Sequence, residues 1–349
     1  MIRSVILILL FCLLSCAEPS PILSDFGKPV DIVGEEIRVD FSSVAFPNYN
    51  LIKISDYLVF ADSKSDLWIK IIDLNNPEKV LGFGKKGRGP YEITFVYNLG
   101  KYPGLKHSFF INDAPNKQIL IYCLDSLISG KVGAEKIIGT GTKAMIRNIY
   151  PLSEERLIGA NIESRSNYLA LYSKEFEIIS EELKYPDEML GQLELLNINS
   201  LTAAFSPGLC FNPDKLVLSA ILQNSDFLEI ISLDSDTLNS VYRSYSYLPE
   251  LRVTSSFRYT YSDIRGGILN ACCTEKYIYC LAHDNSEKLA LDDFRKGQRN
   301  VFIFNWDGTP ERSIRLDRNV FLFTVDENDS ILYAFTYGEE ELCLLKYDL

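Results

Sequence analysis

Residues 51–92 read Leu51-Ile-Lys-Ile54, Leu58-Val-Phe-Ala-Asp62, Leu67-Trp-Ile-Lys-Ile-Ile-Asp73 and Lys79-Val-Leu81, closing on Gly82-Phe-Gly-Lys-Lys-Gly-Arg-Gly-Pro-Tyr-Glu92. Four short apolar runs divided by turn residues predict a four-stranded antiparallel sheet. Such a sheet cannot stand alone, because both of its faces would be wet, so it requires copies of itself to pack against.

The chain supplies the copies. The second strand recurs as Phe109-Phe-Ile-Asn-Asp113, Leu157-Ile-Gly-Ala-Asn161, Leu216-Val-Leu-Ser-Ala220, Ile278-Tyr-Cys-Leu-Ala282 and Ile331-Leu-Tyr-Ala-Phe335, at irregular intervals of roughly 50–60 residues. A hairpin turn precedes each copy, among them Ser55-Asp56, Pro103-Gly104, Asn212-Pro-Asp214 and Asp326-Glu-Asn-Asp-Ser330. These residues tolerate positive φ, fix φ or bond their own backbone. Third strands follow at 67–73, 119–124, 168–172, 227–233, 301–305 and 342–347, and more polar fourth strands at 79–83, 135–138, 178–183, 240–244 and 312–316. Polar outer strands suit an exposed edge that must not recruit a neighbour.

The sixth copy has no fourth strand of its own. Glu36-Ile-Arg-Val-Asp-Phe41 alternates with period two ahead of the first copy and is expected to fill that place, sealing the ring. The reading is an all-β, six-bladed β-propeller of four-stranded antiparallel blades spanning residues 30–349. A seventh blade would have to hide in residues 191–202 or 245–267, and neither stretch shows four strands.

Tyr and Phe at 20 each, within 47% hydrophobic residues, favour strands and a large core. The formal charge of −12 argues against nucleic acid, whose phosphates demand a basic footprint. The start is a targeting segment: Arg3, an apolar run from Val5 to Leu14, then Ser15. Leu13-Leu14-Ser15-Cys16 resembles the lipobox of bacterial lipoproteins. That resemblance implies removal of residues 1–15, lipidation of Cys16 and anchorage to a membrane, with residues 16–29, rich in proline, as a flexible tether. The expected address is the cell envelope, most specifically the outer membrane. The six other cysteines of the mature chain lack metal-binding spacing, and most of them sit among apolar strand residues, as buried thiols do.

With its Gly82-x-Gly-x-x-Gly-Arg-Gly-Pro-x-Glu92 run after the first blade, the chain resembles the six-bladed TolB-like propeller lipoproteins of Bacteroidetes and, more loosely, NHL-type propellers. Many members of that family carry glycine where this chain has Tyr91. The resemblance implies a fold and an address but no reaction.

Candidate chemistry is sparse. The glycine-rich run lacks the following helix that a phosphate cradle needs, so its glycines are expected to serve a backbone crossing, with Lys85, Lys86 and Arg88 on one rim as candidate contacts for an anionic ligand. His107 and His283 stand in no recognised motif, and no Gly-x-Ser-x-Gly or His-Glu-x-x-His sequence occurs. Residues 284–299 form a charged loop long enough to be a functional insertion. Asn98, Asn148, Asn270 and Asp326 fall on predicted innermost strands. They are similar in type to the channel ligands of six-bladed lactonases, which implies a Ca2+ site and a metal-dependent hydrolase as the alternative function. The primary expectation is a lipid-anchored module, without catalytic residues or cofactor, that binds a ligand or a protein or glycan partner.

Overall fold

Leu67–Asp73 is apolar except for Lys70 and the terminal Asp73 because it is buried on both faces, whereas Val80–Lys85 beyond it is half-exposed. That contrast between a middle and an outer strand recurs around the molecule. The computed structural model describes residues 25–349 apart from 90, 132, 140–145, 147, 206, 223–224, 249, 264–266, 284–296 and 339–340, with the backbone alone at 48–49 and 261–263. The signal segment, Cys16 and most of the charged 284–299 loop therefore lie outside the described residues.

Blade 1 comprises Pro47–Ile54, Tyr57–Asp62, Leu67–Asp73 and Val80–Lys85. Blade 2 follows as Asn98–Lys101, Ser108–Asp113, Gln118–Cys123 and Lys136–Gly139, and blade 3 as Tyr150–Pro151, Arg156–Ala160, Leu169–Ser173 and Ile178–Ser180. Blade 4 is Pro207–Asn212, Val217–Leu222, Leu228–Asp234 and Thr237–Ser244. Blade 5 is Ile268–Cys273, Tyr277–Ala282, Gln298–Asn305 and Pro310–Val320. Each is one antiparallel sheet in chain order.

Blade 6 takes three strands from the end of the chain, Leu322–Val325, Ile331–Tyr337 and Leu342–Asp348, and its fourth from Glu35–Ile37. Ile37 pairs with Leu344, so the ring is sealed where the alternating segment predicted it. The predicted strands lie within a few residues of the observed ones throughout.

Period-two alternation sends successive side chains of a middle strand to opposite neighbours. Phe109 and Ile111 pack toward blade 1, while Phe110 packs toward blade 3. The outcome is an apolar cluster at each of the six blade interfaces instead of one central core.

Three features depart from the simple ring. Val30–Ile32 adds a fifth, parallel strand to the edge of blade 5. The Phe26 ring packs 5.1 Å from Phe302 and 4.9 Å from Phe304, so the chain is already docked within residues assigned to the tether. The two insertions pack on each other: helices Leu190–Leu193 and Ile198–Ala204 meet the hairpin Glu250–Ser255 and Arg258–Asp263. Leu251 N donates to Gln192 Oε1 at 2.8 Å, and Asn197 N to Ser256 O at 3.0 Å. They form an appendage between blades 3 and 4, not a blade.

Candidate functional site

Antiparallel order divides the ends of the ring. Turns joining first to second strands, and third to fourth, share one end, the turn face. Passages from each outer strand to the next inner strand share the other, the crossover face, with both insertions and the glycine-rich loop.

The six inner strands surround a channel. Its crossover half, about 290 Å³, is lined by Asn50, Tyr97, Asn98, Asn148 and Asn270 among small apolar residues. Its turn-face half, about 260 Å³, is lined by Ile52, Lys101, Tyr102, Pro103 and three thiols, Cys210, Cys272 and Cys273. The halves share Asn50, Leu209, Cys210 and Ala271 and are therefore one passage.

Asparagines run from blade to blade around this passage. Asn50 Nδ2 donates to Leu99 O at 2.8 Å, Asn98 Nδ2 to Ile149 O at 2.8 Å and Asn148 Nδ2 to Pro207 O at 3.3 Å. A carbonyl only accepts, so each bond fixes which end of the amide is nitrogen. The Asn98 Oδ1 thereby left over is buried with no partner in the protein. Such an atom calls for a donor from a bound molecule or water.

The structure brings Asn98, Asn148 and Asn270 to one cavity but leaves Asp326 out of it. Asp326 closes the first turn of blade 6, accepting from Ser330 N at 2.8 Å and Ile331 N at 2.9 Å. A Ca2+ site gathers six to eight oxygens, carboxylates among them. The lining residues of the amide half include no carboxylate, so they do not fit that metal. Among the described residues no group of three His, Cys, Asp or Glu side chains is arranged to hold a metal ion. The thiols are not poised either: the bond from Cys210 and burial push the Cys273 thiol well above its usual range, and burial does the same at Cys272.

The glycine-rich loop is organised about Glu92. Its carboxylate accepts Gly89 N–H at 2.8 Å, which holds it below the usual carboxylate range, and pairs with Lys85 at 3.4 Å. Lys86 donates to Ser63 O at 2.6 Å and lies 4.5 Å from the Trp68 ring centre, while Arg88 is exposed. Two of the three expected anion contacts are thus engaged within the protein. Gly84, at φ 69°, passes so close to Ile93 that a Cβ would lie 2.6 Å from its Cδ1. The loop is a packed crossing, as its glycines required. Pro90 lies outside the described residues.

Sequence reasoning passed over one recurrent device. The buried carboxylate of Asp62, at the end of a second strand, accepts from Ala45 N and Phe46 N, on the chain about to enter the inner strand of the same blade. Asp113 does the same for Thr94 N and Phe95 N. The aligned second strands already showed the signal, an acid ending an apolar run.

Six four-stranded blades around an amide-lined channel define a six-bladed propeller with its insertions on one face. The chain belongs to the TolB-like six-blade propeller family, whose model matches residues 38–328. Among curated proteins none matches the sequence. A crystal structure of a DUF4221 family member from Bacteroides vulgatus is similar at a TM-score of 0.57 and 12% identity, covering 93% of this chain and 97% of that one. A protein described as exported, from Bacteroides fragilis, is similar at 0.52 and 11%, covering 92% and 99%. At such identities the likeness concerns the fold alone.

Proposed function

We propose that this chain is a lipid-anchored binding module of the cell envelope that holds a small, neutral, hydroxyl-bearing ligand, such as the end of a glycan, in the amide half of its channel. Asn98 carries the reading, because its buried Oδ1 lacks a donor beside three further asparagines. A neutral wall of amides and Tyr97 matches hydroxyl groups, and a cavity near the lower end of the usual ligand-site range suits a small molecule. The solved relative described as exported and the lipobox-like Leu13 to Cys16 support the envelope address. In this reading residues 1–15 are removed and Cys16 carries the lipid, in the outer membrane.

Two measurements test it. Thermal-shift and titration assays with a panel of mono- and disaccharides should find a ligand whose binding Asn98→Leu and Asn270→Leu abolish while each variant still melts cooperatively. No stabilising saccharide, or equal binding by the variants, rejects the channel site. Palmitate labelling that is indifferent to Cys16→Ser rejects the anchor.

A further inference from the structure

Ser55, His107 and Asp125 meet on the turn face although 52 and 18 residues separate them in the chain. Ser55 Oγ lies 3.0 Å from His107 Nε2, and His107 Nδ1 lies 3.1 Å from Asp125 Oδ2. A carboxylate only accepts, so in neutral imidazole the proton sits on Nδ1 and Nε2 is left to accept the serine hydroxyl. This is the order of groups that activates a serine, and it is recognised by geometry, not by sequence motif.

The fold supplies the rest of the arrangement. Ser55 and His107 occupy equivalent turns of blades 1 and 2, and both are non-glycine residues in the left-handed region, at φ 48° and 53°. Leu216 and Asp329 hold the same conformation in the matching turns of blades 4 and 6, so it belongs to the turn and sets where these side chains stand. Leu124 N donates to His107 O at 2.9 Å, tying the imidazole's turn to the residue before Asp125. Ser55 and Asp125 are both exposed, and neither lines the cavity. The cavity wall at this end includes Ile52, three residues before Ser55, and Pro103, in the loop that leads to His107.

We infer that Ser55, His107 and Asp125 form a metal-independent hydrolytic site for a carboxylic ester whose apolar acyl group enters the turn-face half of the channel. Ser55 Oγ attacks the ester carbonyl carbon as its proton passes to His107 Nε2. The tetrahedral adduct collapses, its carbon–alkoxy bond breaks, and the leaving alcohol takes that proton. Water then adds to the acyl-serine with its proton going to Nε2, the acyl bond breaks, and the proton returns to Ser55 as the carboxylic acid leaves. Asp125 acts as a positioning residue. Its side chain is 67% exposed, so water screens its charge and turnover should be slow compared with a buried triad.

The test uses the soluble body, residues 25–349, with p-nitrophenyl acetate and butyrate and a fluorophosphonate label. The label should modify Ser55, identified by peptide mass, and His107→Ala should lower ester hydrolysis about a hundredfold. Butyrate should be preferred to acetate. Ser55→Gly, which accepts the left-handed turn without strain, should melt like the parent yet be inactive. Asp125→Asn should lower kcat with KM unchanged. Unlabelled Ser55, or Ser55→Gly hydrolysing at the parental rate, overturns the assignment.

Discussion

Glu229, on blade 4 and without exposed surface, accepts the hydroxyl of Tyr168 from blade 3, while Arg243 donates to both carboxylate oxygens at 2.8 Å. Burial together with Glu229 drives the Tyr168 hydroxyl well above its usual range, so the tyrosine stays a neutral donor. One acid thus joins two blades. Glu229→Leu leaves the Arg243 charge and the Tyr168 hydroxyl without their partner and should cost about 3–5 kcal/mol. Tyr168→Phe loses a single bond to a charged group and should cost about 1.5–3 kcal/mol. Urea unfolding of the two variants checks the order.

Asp62 receives four backbone N–H groups, from Ala45, Phe46, Lys64 and Ser65. Asp62→Ala leaves part-buried donors at the entry to blade 1 without their acceptor and should destabilise by about 1–3 kcal/mol, measured by the same unfolding assay.

Tyr91 stands at φ 75°, the conformation that glycine adopts without penalty, and is 73% exposed. Tyr91→Gly removes a steric cost of about 1–2 kcal/mol and adds somewhat less in unfolded-chain entropy. The variant should be more stable by about 0.5 kcal/mol; a loss of stability would mean that the ring's contact with Gly133 outweighs the strain.

Burial alone would raise the Asp326 carboxyl, but the amides of Ile331 and Ser330 outweigh it and hold it below the usual range. Burial opposes the same outcome at Glu327, where Lys101 prevails. A carboxylate held down in the folded state adds stability above its unfolded pKa, about 3.9 for Asp and 4.3 for Glu. That contribution fades as pH falls through the lower folded value. Stability should therefore decline below about pH 4, and Asp326→Asn should flatten the decline while lowering stability at neutral pH. Melting temperatures between pH 3 and 7 would show it.

Most of the ring was legible because propeller strands announce themselves locally. Leu58 to Asp62 and Phe109 to Asp113 are apolar runs bounded by turns, and the want of a fourth strand after Leu349 pointed back to Ile37. What escaped were relations across blades. Ser55, His107 and Asp125 belong to different turns, and only the rotation from one blade to the next brings them together. The amides of Asn98 and Asn148 were placed correctly toward the passage, but their bonds to Ile149 and Pro207 depend on how neighbouring inner strands abut. Asp326 went astray because an acid at a strand end serves its own turn as readily as a channel.

Among the described residues, 35–37 take only the strand 342–348 as a sheet partner. Two segments about 300 residues apart must therefore find each other, and until they do both ends of the circle present raw edges. Losing the pairing made by residues 344–346 would leave the whole circle unlatched.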